Sequence, residues 1–342
     1  MSNLYEVINE LDPYKDNRIA TMIEGKNFGE KIIVSDGNVV YESKANSLPI
    51  ELRSKIANSH LDGLITIDGQ SIFCETLGNE KKLIICGGGH VSVPVVKIAK
   101  MIGFYVTVID DRVQYADNIR RTEADEVLCD DFRNALNQIR GDKDTYFVIV
   151  TRGHRYDQVC LEAILTKENA YIGMIGSKVR IKQVKDAMQE KGFSQDLLNK
   201  LYSPIGLNIG AETPEEIAVS IMAEIIQVKN GSKRSGGYPK EIMKAILNKE
   251  TKSLPKMLAT IISRKGSAPR NVGTKMLIFK DGTTIGTIGG GCVEADICNK
   301  ARYQLMSGDL TPKVYHVDMT GRDAEEEGMV CGGVVQILLE IV

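Results

Sequence analysis

The sequence has no C-x-x-C pair and no H-E-x-x-H, and its four histidines lie far apart. A structural zinc site needs thiolates and imidazoles in close spacing, so none is expected here. Cys74, Cys86, Cys129, Cys160, Cys292, Cys298 and Cys331 are an odd number scattered over 342 residues, which argues against a disulfide scaffold. No apolar run reaches the roughly 18 to 20 residues that cross a bilayer. The opening "MSNLYEVINELDPYKDNR" lacks the basic-then-apolar order of a secretion signal. The expected location is the cytoplasm, without membrane contact. An excess of charge is missing too: 43 Lys and Arg against 45 Asp and Glu leave a net −2. That gives no general attraction to nucleic acid or anionic membrane, so partners must be recognised at local sites.

What is present is enough apolar sequence, 43% of the chain, to bury a sizeable core in more than one domain. Between residues 81 and 230, apolar strand-like runs ("KKLIICGGG", "FYVTVIDD", "ADEVLCD", "TYFVIVTRG", "AYIGMIGS") alternate with helical patterns. That pattern predicts a parallel sheet covered on both faces, a Rossmann-like α/β domain. Thr213 as N-cap, Pro214 at the first helical position and Asn230-Gly231 at the end frame its last helix. A polar linker and a short helix fill 231–252. Residues 253–342 predict a smaller β-rich α+β module. Residues 1–80 look like a degenerate copy of it: "IATMIEGKNFGEKIIVSDG" aligns with "LATIISRKGSAPRNVGTKMLIFKDG" once a five-residue loop and one further residue are removed. The copy keeps the strands and loses the loops. Its expected use is packing, either against the intact copy or across a two-fold axis in a homodimer.

Two glycine turns carry the chemistry. Gly87-x-Gly89-x-x-Ser92 follows a predicted strand and opens a helix, with His90 inside it. Asp110 and Asp111 close the next strand, where an acid holds ribose hydroxyls, and backbone N–H groups at the helix start suit a pyrophosphate. Asp110 would repel a 2′-phosphate, while the adjacent Arg112 leaves NADP open. "TRGHRYD" follows another strand and puts Arg152 and His154 at the expected crevice. The second turn, Gly289-Gly290-Gly291, leads into a helix whose start carries Cys292, where the positive end of the dipole favours thiolate. Cys331, beside Gly332, is a second thiol among glycines. "KGSAPR" adds Gly266, Ser267 and Arg270, the last able to grip phosphate, and Glu294 is an acid that supports the helix start.

These motifs ("GSAPR", "GTIGGGCVEADI", "GMVCGG", "LIICGGGH", "VIDDR", "TRGH", "YIGMIGS" and "PIGLNIGAETPEEIAVSIMAEII") together resemble the XdhC/CoxI family of xanthine dehydrogenase accessory factors. The resemblance implies a non-catalytic chaperone that binds the molybdenum cofactor, a phosphate-bearing molybdopterin. It also implies cofactor sulfuration with a cysteine desulfurase and delivery to a molybdenum hydroxylase apo-enzyme. Cys292 and Cys331 then become candidate molybdenum thiolate ligands, and the first turn a site for NAD(P) or another nucleotide. In the usual family order the cysteine module comes first, whereas here it comes last. From the residues alone, an NAD(P)-dependent oxidoreductase with a redox-active Cys292, or a nucleotide- or redox-sensing module, remains the alternative.

Overall fold

The computed structural model describes residues 3–45, 47–59, 61–78, 80–231, 237–248, 254–267, 270–318 and 333–342, without the side chains of His154 and Cys292. The chain forms two compact units, Glu80–Ser232 and, from both ends of the sequence, Met1–Asn79 with Lys233–Val342.

The discontinuous unit starts with α1 (Leu4–Glu10), β1 (Asn17–Met22), β2 (Lys31–Ser35), β3 (Asn38–Glu42), α2 (Ile50–Asn58), β4 (Gly63–Ile67) and β5 (Gln70–Thr76). The continuous unit follows, with β6 (Lys82–Cys86), α3 (Ser92–Met101), β7 (Tyr105–Ile109), α4 (Val113–Arg120), β8 (Glu126–Leu128), α5 (Phe132–Gln138), β9 (Thr145–Ile149), α6 (His154–Leu165), β10 (Tyr171–Met174), α7 (Lys178–Glu190), α8 (Gln195–Asn199) and α9 (Pro214–Gly231). Its sheet runs β10-β9-β6-β7-β8 with every pairing parallel. The apolar run in β6 serves both faces, as such a sheet requires. Leu83 and Ile85 join the core under α3 and α9, while Ile84 and Cys86 join that under α5, α6 and α7. Thr213 and Glu216 form a reciprocal cap at the start of α9. Strand order reverses at β6, whose neighbours are β7 on one side and β9 on the other. Ligands in such sheets bind beyond the carboxyl ends at this reversal.

The first unit resumes with α10 (Lys240–Leu247), β11 (Lys256–Gly266), β12 (Lys275–Phe279), β13 (Thr284–Gly286), α11 (Gly291–Ser307), β14 (Lys313–Asp318) and β15 (Gly333–Ile341). Its two antiparallel sheets run β3-β2-β1-β5-β4 and β13-β12-β11-β15-β14, the same order twice. The register matches as well. Thr21 lies opposite Lys31 as Thr260 lies opposite Lys275, and Ile19 opposite Glu75 as Leu258 opposite Glu340.

The two modules pack on each other through these equivalent residues. Lys31 pairs with Glu340 at 2.8 Å and Lys275 with Glu75 at 2.5 Å, all four side chains at most 8% exposed. Ile19, Ile33, Leu258 and Leu277 share one apolar cluster, and Ile23, Phe73, Ile262 and Leu338 another. Tyr5 before β1 meets Tyr238 before β11 edge to face. The module is therefore paired with its own copy about a pseudo-two-fold axis, which decides between the two packing roles expected for the N-terminal copy. Burial of the apolar sets drives the association. The reciprocal ion pairs fix its register, because a slipped pairing leaves buried charges without partners.

Candidate nucleotide crevice and glycine-loop site

In the Rossmann-like unit, Gly87 has φ +115°, and a Cβ there would lie 2.7 Å from the Val150 carbonyl oxygen. Gly88 is also tight, with Ile119 Cγ1 at 3.2 Å from a built Cβ. Gly89 is different: a Cβ there meets nothing within 4 Å. The first two glycines thus serve the fold, and the third keeps space at the start of α3. Ser92, in the last place of the motif, is buried and donates to the Gly87 carbonyl, which closes the turn.

Asp110 has a different task from the ribose contact expected of it. Its fully buried carboxylate accepts from the Gly88 N–H (2.6 Å), the Arg112 N–H (3.0 Å), and Arg112 Nε and Nη2 (both 2.8 Å). It braces the turn from beneath and ties down Arg112, whose guanidinium also lies 3.5 Å from the Tyr115 ring centroid. Asp111 remains as the exposed acid at the strand end.

His90 and Arg152 are exposed, and the Arg152 guanidinium lies 5.9 Å from the same Tyr115 ring. The loop after β9 is held from inside. Buried Asp157 accepts from Thr151 Oγ1 (2.5 Å) and Arg180 Nε (2.6 Å), and Arg180 reaches the Thr151 carbonyl at 3.4 Å. His154 is the first residue of α6; its side chain lies outside the described residues. Both α3 and α6 begin at the strand-order reversal without a side-chain cap, so their positive dipole ends face an anion there, although in α3 the Ser92 N–H already donates to the Gly89 carbonyl at 3.0 Å and Pro94 has none to give. Tyr115, Asp157 and Arg180 were not singled out by the sequence. Tyr115 and Arg180 lie outside any glycine or strand-end signature and Asp157 only closes the "TRGHRYD" motif; the fold gives all three their place at this crevice.

In the intact module, sheet topology collects the motif loops at one end. β11 ends at Gly266, which pairs with Gly333 at the start of β15, and β13 runs antiparallel to β12 so that Gly286 leaves the sheet at the same end. A Cβ on Gly333 would lie 2.4 Å from the Ser267 carbonyl oxygen, so glycine is required where the two loops meet. Cys331 and Gly332, just before it in sequence, lie outside the described residues. Ser267 and Arg270 are exposed.

The turn Gly289-Gly290-Gly291 has φ of 134°, 73° and 64°, a run of conformations that only glycine takes without strain. Two of its N–H groups are already used: Gly289 donates to Thr287 Oγ1 (3.1 Å) and Gly290 to Glu294 Oε2 (3.0 Å). Thr287 also donates to Glu294 at 2.7 Å. Glu294 therefore braces this turn as Asp110 braces the first. Anion-binding capacity rests on the first N–H groups of α11, beyond Gly290. Cβ atoms on Gly290 and Gly291 would meet nothing within 4 Å, so that approach is open. Cys292 is the second residue of α11, its side chain outside the described residues.

Nearly two turns further on, burial and then the Glu294 carboxylate push the Cys298 thiol up. Cys74 is pushed up to about 12, chiefly by burial. Cys86 and Cys160 are buried, and Cys129 is half-buried. Among the described residues no cluster of three or more His, Cys, Asp and Glu could hold a metal ion, and no helix is long and apolar enough to cross a membrane.

Fold and loops define a class: a Rossmann domain joined to a small sheet module that gathers glycines of three segments, Gly266, Gly286 and Gly333, at one end. Residues 83–225 match the XdhC Rossmann domain and 252–316 match the XdhC and CoxI family. The chain belongs to the XdhC/CoxI family. It is 27% identical over 220 residues to the uncharacterized protein YqeB of Escherichia coli, covering 64% of this chain and 40% of that one. It is 31% identical over 159 residues to a probable subunit of xanthine dehydrogenase from Bacillus subtilis, covering 46% of each. A crystal structure from Bacillus halodurans described as a xanthine dehydrogenase is similar with a TM-score of 0.50 and 27% identity, over 68% of this chain and 64% of that one. The chain spans less than half the length of these two curated relatives.

Proposed function

We propose that the protein is an accessory factor for a xanthine dehydrogenase-type molybdenum hydroxylase. In this reading it carries molybdenum cofactor as cargo, supports its sulfuration by a cysteine desulfurase and hands it to the apo-enzyme. The observation that carries the reading is the convergence of Gly266, Gly286 and Gly333, each opening or closing a motif segment, at one sheet end in a member of this family.

The residues present suit that cargo. The open start of α11 and the Arg270 guanidinium fit a terminal phosphate. The chain offers single thiols, Cys292 and Cys331, rather than a ligand cage. That is enough for a metal that arrives already held by the two sulfurs of the pterin. Glu294 keeps the turn in shape without facing the cargo uncompensated, because Thr287 and Gly290 already donate to it. The Rossmann-like unit takes a nucleotide at Gly87–Ser92, with Asp111 and Arg152 beside it. The homodimer expected from the sequence has to use a surface other than the pseudo-two-fold face, which the chain's own N-terminal copy covers.

The test is purification from cells that make molybdenum cofactor, followed by pterin and molybdenum analysis. Near one cofactor per chain is expected, lost in Cys292→Ser without loss of folding. Equal occupancy in the variant removes the thiol from the account. Nicotinamide turnover with a substrate, in protein that carries no pterin, would favour an oxidoreductase instead.

A further inference from the structure

Building on the nucleotide reading of the crevice, we infer that the site selects a nucleotide with a free ribose 2′-hydroxyl and rejects one bearing a 2′-phosphate. A 2′-phosphate at the end of β7 needs a cation free to take it. Arg112 occupies the position where such a cation would stand, but it is spent. Its Nε and Nη2 go to Asp110 at 2.8 Å, and its guanidinium plane is stacked on Tyr115 at 3.5 Å. Its remaining nitrogen, Nη1, has no hydrogen-bond partner but is buried, so a phosphate cannot reach it unless the side chain moves. The charge that a phosphate would seek is neutralised by a carboxylate with no solvent exposure. That carboxylate is itself held by the Gly88 N–H of the turn, so Arg112 cannot swing free without loosening the glycine loop.

The group left at the strand end is Asp111, whose Oδ1 is 3.7 Å from Arg112 Nε, a distance too long to satisfy it. A carboxylate with unused acceptor sites suits ribose hydroxyls as donors, and it repels a phosphate dianion. Arg152 has no ion pair among the described residues, but it stands on the loop after β9, across β6 from Asp111. Its guanidinium lies 5.9 Å from the Tyr115 ring centroid, and its assigned role is with the phosphates common to both nucleotides; an NADP⁺ affinity lost selectively in Arg152→Ala would make it the 2′-phosphate cation and overturn the selectivity.

Titration calorimetry of the full chain with NAD⁺ and with NADP⁺ tests this. The expected result is NAD⁺ binding on the order of tenfold or more tighter. In Asp111→Asn the ratio narrows to within about threefold, mainly through a gain for NADP⁺. In Arg152→Ala both ligands weaken and the ratio stays. Equal affinities in the unmodified chain, or a ratio unmoved by Asp111→Asn, overturn the selectivity while leaving the crevice a nucleotide site. Failure of NAD⁺, NADP⁺ and ATP alike to bind removes the nucleotide reading and this inference with it.

Discussion

Replacing Glu75 by Gln removes one negative charge from the face between the two sheet modules and leaves its partner in place. Lys275 Nζ then keeps the Gly273 carbonyl at 3.2 Å, the Tyr238 ring face at 4.6 Å and at best a neutral amide oxygen in place of the carboxylate, on a side chain that is 1% exposed. An ammonium stranded in this way costs about 3 to 5 kcal/mol. In a unit of this size each kcal/mol moves the melting temperature by about 2 to 4 °C. The expected loss is therefore roughly 6 to 20 °C in the transition of the sheet unit. Thermal melting followed by circular dichroism reads it, with Rossmann-unit unfolding treated as a separate transition. The double variant Glu75→Gln/Lys275→Met removes both charges and should recover most of the loss. Glu75→Gln melting within about 2 °C of the unmodified chain, or a double variant no more stable than the single, would refute the claim that each buried charge at the module interface depends on its partner.

Three further outcomes follow from the site geometry. Gly89→Val should fold and melt normally, since its Cβ enters open space, yet lose nucleotide binding, whereas Gly87→Ala should destabilise the fold through its contact with Val150; paired calorimetry and melting curves separate the two. Arg270→Ala should weaken cofactor retention by about 1.5 to 3 kcal/mol, one charge-assisted hydrogen bond, read as pterin retained after dialysis. Cys298, held as a thiol by burial and by Glu294, should alkylate slowly at neutral pH and speed up only above the ordinary thiol range of about 8.5, as mass spectrometry of the labelled peptide would show.

Much of the fold was legible because each part of it had a local cause. Apolar strands with helices between them read as a parallel sheet, and Thr213-Pro214 read as a helix start. The repeat was visible because β1 and β11 bury equivalent positions. Its consequence was not legible: Lys31, Glu75, Lys275 and Glu340 look like ordinary surface charges until the modules are stacked and each meets the equivalent residue's partner. The same holds for Asp110. Spacing put it at the ribose, but spacing does not report that a buried carboxylate takes three donors from Arg112 and a fourth from the glycine turn. The thiols were legible as types and positions in the motifs, while the bracing of their turn by Thr287 and Glu294 depends on a backbone of three consecutive left-handed glycines that no periodicity signals.

The central claim, cargo transfer by the intact module, is tested most directly by reconstitution. A cofactor-free xanthine dehydrogenase-type enzyme is incubated with this chain purified from cofactor-producing cells, and the hydroxylase activity gained is compared with that from the Cys292→Ser chain. The account predicts activity restored by the unmodified chain and little or none from the variant; equal restoration by both, or none by either when pterin analysis shows the unmodified chain loaded, would contradict it.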